Sequence, residues 1–316
     1  MVRSYLLPGF LITALAACSA AVGSQDTAFS EGERGQILDV NGTQVHAVVE
    51  GSGPDLILFH GAGGSHRDFT FSMVDKLKDD FRVVVFDRPG HGLTERIDAR
   101  AGDGESLAEQ ADLLHSAAEM LNVSNAIVAG QSFGGALALN YTLRHPDDVA
   151  GVVAISAVSN PWPGELDAWY RVNGTWLGQN VLIPIISVFA TRNRVEGTLE
   201  GVFEPDPVPP GYIDHIGVDL ATRPTQLRAN VQQINRLLGD VKAQVGQYDQ
   251  IDVPLEIIHG TADSTVPFDV HADPLSTQVK GARLTVLEGT GHMPHHAEEA
   301  QVVEAIRRAA KRAGLL

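Results

Sequence analysis

Residues 130–135 read GQSFGG, a serine flanked by Gly130 and Gly134 that comes directly after the aliphatic run NAIVA and directly before ALALNYTLRHP. That placement predicts a strand, a tight turn and a helix, with Ser132 at the turn. The backbone of such a turn is strained and its neighbours pass close by, so small residues are needed on both sides. A serine hydroxyl is a poor nucleophile at neutral pH; it needs a base, and the base needs an acid to hold its tautomer and balance its charge. Asp263 follows LEIIHGTA and His292 follows LTVLEGTG, so both lie just beyond predicted strands. The chain order serine, acid, histidine suits a nucleophile on a strand-to-helix turn. Ser132, Asp263 and His292 are therefore expected to meet as nucleophile, acid and base.

Other side chains compete for these roles. Asp87 is a second possible acid, but its strand precedes the serine, and its setting, DRPGHG, suits loop bracing better. His292, His295 and His296 can be imagined as a metal cluster. The segment HMPHHAEEA reads more simply as a base followed by a helix start, so no metal is expected. His60 and His259, each in an HG pair at a strand end, are expected to be hydrogen-bonding residues at loop starts.

The elements that must position these groups alternate short β-branched or aliphatic runs with longer helical patterns. The fold class expected is α/β, a mostly parallel eight-stranded sheet flanked by helices. QILDVNGTQVHAVVEG reads as an opening hairpin turned at Asn41 and Gly42. LILFHG, FRVVVFDRPGHG, NAIVAGQS, VAGVVAISA, LEIIHGTAD and LTVLEGTGH read as six further strands, each running into a loop that carries Gly, His or Asp. In doubly wound sheets such strand ends line the functional crevice. ESLAEQADLLHSAAEMLN and AEEAQVVEAIRRAAKRAG have the spacing of covering helices. The alternation breaks over residues 160–240, too long for a loop in a compact domain, which predicts a mainly helical cap inserted between core segments 36–159 and 241–316. All three tryptophans, Trp162, Trp169 and Trp176, lie there at spacings of seven. They are expected to share one helical face that packs the cap onto the core, with one ring reaching the substrate.

The strand order, GQSFGG, HGTADSTVP and GTGHMPH resemble the α/β-hydrolase superfamily from about residue 36 to the end. HGAGG at residues 60–64 resembles its oxyanion loop, FDRPGHG at 86–92 the loop after the next strand, and RPTQLRAN resembles cap segments of its members. The resemblance implies that the backbone amides of Ala62 and Phe133 hold the developing oxyanion. The amide of Phe133 has an independent warrant, because it sits at a helix N-terminus where N–H groups are unpaired. Dehalogenases and most epoxide hydrolases of this superfamily carry aspartate at the nucleophile position, so serine disfavours those chemistries. Esters, lactones, thioesters, amides, peroxyacids and C–C bonds of β-diketones remain compatible. Because all the required groups are protein groups, no cofactor is expected.

Acidic residues outnumber basic ones 39 to 23, a formal charge of −16, which argues against a nucleic-acid partner. The N-terminus has a basic Arg3 and an apolar stretch from Tyr5 to Ala17 that ends in Leu15-Ala16-Ala17-Cys18, the layout of an export signal ending in a lipobox. Residues 1–18 read as a bacterial lipoprotein-type signal peptide with Cys18, the only cysteine, as the lipidated residue, and residues 19–35 as a flexible tether. An ordinary signal peptide cut a few residues later is the alternative; both imply export. The reading is a cell-envelope serine hydrolase of the carboxylic ester hydrolase class, expected to act on a small to medium hydrophobic acyl substrate and to be held at a membrane by its lipid. C–C bond hydrolysis or cofactor-free perhydrolysis on the same triad stays open, as does a ligand-binding protein that kept the fold.

Overall fold

The computed structural model describes residues 33–97 and 106–316, so the signal-peptide and Cys18 readings and most of the tether lie outside it. Asn41 and Gly42 both adopt positive φ, 53° and 89°, which is the backbone a two-residue hairpin turn requires. They join β1 (Gln36–Val40) to β2 (Thr43–Glu50). Then follow β3 (Asp55–Phe59), β4 (Arg82–Phe86), β5 (Ala126–Gln131), β6 (Val149–Ile155), β7 (Leu255–Gly260) and β8 (Arg283–Leu287). The described residues form one eight-stranded sheet in the order β1-β2-β4-β3-β5-β6-β7-β8. β1 with β2 and β2 with β4 are antiparallel; every other pair is parallel. The chain reverses its winding beside β3, where a crevice opens beyond the carboxyl ends of the strands.

The central strands are apolar without interruption because both faces are covered. Alternation sorts their side chains: Ala126 and Val128 of β5 join a core with the helices Leu107–Met120 and Phe133–Arg144. Ile127 and Ala129 join the opposite core with Met73–Leu77 and Glu299–Arg312. Ser106 caps the first of these helices through a reciprocal pair of hydrogen bonds with Glu109.

Between β6 and β7 the chain is mainly helical, with Ala168–Asn173, Ile183–Phe189, Arg192–Phe203, Tyr212–Ile216, Val218–Ala221 and Pro224–Gln244. The last of these runs past residue 240, and its Leu237 and Val241 are buried in the same core as Phe133–Arg144. The segment thus has no sharp boundary there, because one long amphipathic helix serves both bodies. The tryptophans do not share a face. Trp162 lies outside any helix and packs on the core, Trp169 belongs to Ala168–Asn173, and that helix stops at Gly174, leaving Trp176 on the next helical run and 76% exposed. A spacing of seven aligns side chains only on an unbroken helix, and the turn at Gly174 and Thr175 resets the phase.

Two glycines test this packing in opposite directions. A Cβ at Gly134 would stand 2.1 Å from the carbonyl oxygen of Phe59, whereas one at Gly239, exposed on Pro224–Gln244, would meet nothing within 4 Å. Gly134→Ala is expected to cost about 3 kcal/mol. Gly239→Ala is expected to stabilise by about 1 kcal/mol through helix propensity. Urea unfolding of the two variants checks both, and a stable Gly134→Ala would refute the close approach.

Candidate active site

Ser132 follows the last residue of β5 with φ 56° and ψ −117°, a left-handed backbone that a non-glycine residue adopts only under constraint. The constraint comes from both sides: the Ser132 N–H donates to Ile155 O of β6 at 2.9 Å, and its carbonyl accepts from the N–H groups of Gly135 and Val158. At Gly130 a Cβ would stand 2.0 Å from Gly134 O, so the two glycines flanking the serine lie against one another. Sharp reversal and glycine pairing together aim the hydroxyl out of the sheet's end.

Ser132 Oγ donates to His292 Nε2 at 3.0 Å, and His292 Nδ1 donates to Asp263 Oδ2 at 2.7 Å. Ser132, 160 residues from His292 in sequence, is nonetheless within proton-transfer distance of it. All three side chains are nearly buried, at 7%, 5% and 4% exposure for Ser132, Asp263 and His292. Burial pushes the Asp263 carboxyl up, but hydrogen bonds from His259 and His292, the charge of His292 and the Val266 N–H outweigh it. The carboxyl therefore ionises below the usual carboxylate range. A carboxylate that stays ionised beside Nδ1 keeps the proton on that nitrogen and leaves Nε2 free to accept one.

His259 touches this chain directly, with Nε2 3.1 Å from Asp263 Oδ2 and 2.8 Å from Val266 O. His60 is locked as neutral imidazole. Its Nδ1 donates to Gly61 O at 2.9 Å, its Nε2 accepts from the Arg88 N–H at 3.0 Å, and burial together with the Arg88 charge pushes its pKa down to about 3. Asp87 does not join the serine. Its oxygens accept from His46 Nδ1, His66 Nδ1 and the N–H groups of His66 and Leu93, tying β2 and two loops together. His295 and His296 turn away from His292 to Asp68, whose oxygens accept from them at 3.1 and 2.8 Å and from Tyr212 Oη at 2.7 Å. These two sets, His46 with His66 and Asp87 and His295 with His296 and Asp68, each bring ligand atoms within 4.8 Å of one another. In both, imidazole nitrogens lie at hydrogen-bond distance from the carboxylate.

Several contributors escape a reading by motif. Arg88, fully buried, donates to His60 O and Gly61 O at 3.1 and 3.0 Å and stacks 4.1 Å over the Phe133 ring. It therefore joins the loop of Ala62 to the helix that begins at Phe133. Gln131 donates through Nε2 to His292 O at 3.0 Å, and Asp206 Oδ2 accepts from the Gly291 N–H at 2.7 Å. Gln131 sits inside the serine motif and Arg88 inside DRPGHG, so position was visible in both, but the partners were not.

Ala62, Ser132 and His292 open on a cavity of about 680 Å³, a volume suited to a small organic molecule. Its wall is mostly apolar, with Trp169, Ile186, Leu199 and Leu227 supplied by the segment between β6 and β7. Gln226 of that segment donates to Gly63 O at 2.9 Å, which fixes the glycine-rich loop against it. The Phe133 amide belongs to the first residue of its helix, where no carbonyl lies four residues back to accept its hydrogen. A serine hydroxyl, an imidazole oriented by a carboxylate and two candidate oxyanion amides beside an apolar cavity form an arrangement of the kind that acyl transfer requires.

A family model described as "Alpha/beta hydrolase family" matches residues 56–305. The chain is 31% identical over 247 residues to the magnesium-chelatase 30 kDa subunit of Rhodobacter capsulatus, covering 77% of this chain and 82% of that protein. It is 28% identical over 252 residues to a bifunctional esterase/perhydrolase of Acinetobacter calcoaceticus, covering 76% and 85%. The enol-lactonase of Burkholderia xenovorans LB400 has a similar fold, with a TM-score of 0.69 at 19% identity over 87% of this chain and all of that one.

The neutral buried histidines set an acid limit on stability. His271 Nδ1 accepts from the N–H groups of Ser159 and Asn160 at 3.2 Å each, and burial pulls its pKa down to about 4. Because His60 and His271 have folded values below the ordinary 6.5, the unfolded chain takes up these protons first. Their stabilisation is whole above pH 6.5 and declines as pH falls toward 4, by about 1.4 kcal/mol per pH unit for each. Urea unfolding at pH 7.5 and pH 5.0 should show a loss of about 2 kcal/mol from each, and His271→Gln should flatten the slope. An unchanged slope would mean that His271 is charged in the fold.

Proposed function

The chain belongs to the alpha/beta hydrolase family, and on that premise we propose that it is a serine hydrolase that cleaves a carboxylic ester or related acyl bond of a small to medium hydrophobic substrate. The observation that carries this reading is the continuous hydrogen-bond chain from Ser132 through His292 to Asp263 beside an apolar cavity. Family membership alone does not carry it, since the Rhodobacter relative at 31% identity bears the name of a chelatase subunit.

In the proposed cycle His292 Nε2 takes the proton of Ser132 Oγ as the oxygen attacks the acyl carbon, and the charge on the carbonyl oxygen falls to the amides of Ala62 and Phe133. As the tetrahedral adduct collapses, His292 returns the proton to the leaving oxygen and an acyl-serine remains. Water then enters and gives a proton to His292 as its oxygen attacks the acyl carbon, and collapse of the second adduct returns that proton to Ser132 Oγ and releases the acid. Asp263 stays ionised throughout and stabilises the imidazolium. Two oxyanion donors contribute about 3 kcal/mol each to the barrier reduction. Perhydrolysis differs only in that hydrogen peroxide replaces water in the second half, and the likeness to the Acinetobacter esterase/perhydrolase favours it as the second reading. The N-terminal signal supports an exported protein that Cys18 anchors to a membrane.

A fluorophosphonate probe tests the nucleophile: the full chain should label and Ser132→Ala should not. With p-nitrophenyl esters of graded length, Ser132→Ala should lose about 10⁵-fold or more in kcat. Asp263→Asn should lose about 10⁴-fold with KM little changed, because the wrong imidazole tautomer then faces the serine. Labelling that survives Ser132→Ala removes the serine from the mechanism.

A further inference from the structure

Between Arg171 and Arg192 lie twenty consecutive residues without a charged side chain, in a protein whose residues are 20% charged. The stretch is helical from Trp176 through Phe189, with a π-helical turn at Gly178–Leu182. Its apolar side chains are not gathered inward. Trp176, Val188 and Phe189 are 76%, 79% and 64% exposed, and Leu177, Val181 and Ile185 are exposed as well. Single exposed apolar residues are ordinary, but six on one short helical run form a patch that water disfavours and a partner covers. Among the described residues no helix is long and apolar enough to cross a membrane. An apolar helical run of this length is too short to span a bilayer, and where its side chains are exposed it suits a segment lying in an interface.

The same helix has a second side. Ile183 is buried, and Ile186 and Ala190 line the cavity that holds Ser132. One helix thus separates the substrate cavity from the exposed apolar face. We propose that this face, from Trp176 to Phe189, seats the protein in the interfacial region of a lipid bilayer, with its apolar side chains among the upper acyl chains, and that the ester reaches the cavity from the lipid phase. The second half of this proposal rests on the serine-hydrolase reading; the first does not.

Two features favour a bilayer over other occupants. If Cys18 carries the anchor, only fourteen residues separate it from Glu33, the first described residue, and a chain of that length reaches about 50 Å at most. Any apolar face of the body is then held at high effective concentration beside the membrane. The charges at the ends of the run are also neutralised, Arg171 by Glu165 and Arg192 by Glu196 and Asp214, while the whole chain is −16. Attraction to anionic headgroups is thereby weakened, and apolar burial in a neutral, zwitterionic surface is the larger driving force.

Trp176, one of three tryptophans, reports on the contact. The full chain is reconstituted with phosphatidylcholine vesicles containing brominated phosphatidylcholine, whose bromines quench tryptophan only within the acyl region. Quenching should appear in the parent protein, vanish in Trp176→Phe, and vanish in Val188→Glu/Phe189→Glu while turnover of soluble p-nitrophenyl butyrate is unchanged. Quenching in Ser132→Ala should equal that of the parent, which separates failure of the surface from failure of the chemistry. The proposal is overturned by quenching that persists in the double glutamate variant, by its absence in the parent, or by binding that requires phosphatidylglycerol. A lipid-free dimer that the two glutamates dissociate would also overturn it, since a second copy would then be the occupant.

Discussion

The backbone of Ser132 at φ 56° is the constraint on which the rest of the site depends. Left-handed backbone at a serine costs of order 1–3 kcal/mol and persists only where the surroundings impose it. Here β6 holds the serine N–H, the helix Phe133–Arg144 and Val158 hold its carbonyl, and paired glycines allow the chain to fold back on itself. Strain stored in this way serves the site because it separates the hydroxyl from the sheet and places the first free amides of a helix beside it. Every other group converges on a point that this turn defines.

Around that point the protein buries a large inventory of charge, and almost none of it is idle. Arg88 is paired with carbonyls and glutamine side chains and covers the Phe133 ring. Asp87 holds His46 and His66, and Asp68 holds His295, His296 and Tyr212. An unpaired charge at such depth would cost several kcal/mol, so each set forms only when the elements that contribute to it are correctly docked. Their contribution is orientation: Asp68 links the helix after the glycine-rich loop, the turn after His292 and the segment between β6 and β7 through one carboxylate. Arg88 similarly ties together the loop of Ala62 and the helix of Phe133.

The long insertion completes the cavity and faces outward as well. Gln226, Gln233 and Tyr212 lock it onto the loops of the sheet's carboxyl edge with hydrogen bonds, while its apolar residues divide between the cavity wall and the exterior. A helix with apolar residues on both sides is unusual for a surface element. On the proposed reading, that arrangement would join the nature of the substrate to the surface on which the protein sits.

Much of this architecture was legible in the residues alone because its signals are local. Alternating and continuous apolar runs marked all eight strands, Asn41-Gly42 marked the hairpin, and glycine on both sides of Ser132 marked the turn, since each reflects sterics within a few residues. The positions of Asp263 and His292 followed from the same rule, as residues just past strands of one parallel sheet. Apart from the meeting of Ser132, Asp263 and His292, contacts between distant segments were not legible: Gln131 with His292, Arg88 with Gln233 and Tyr212 with Asp68 join residues more than 140 positions apart, and no local pattern encodes such pairs. The tryptophan spacing misled for the same reason, because whether seven residues make two turns depends on whether the helix continues, and Gly174 ends it. Local sterics thus determined the strands and the serine turn, whereas the partners of each buried charge and the outward face of the cap were decided only when the elements packed.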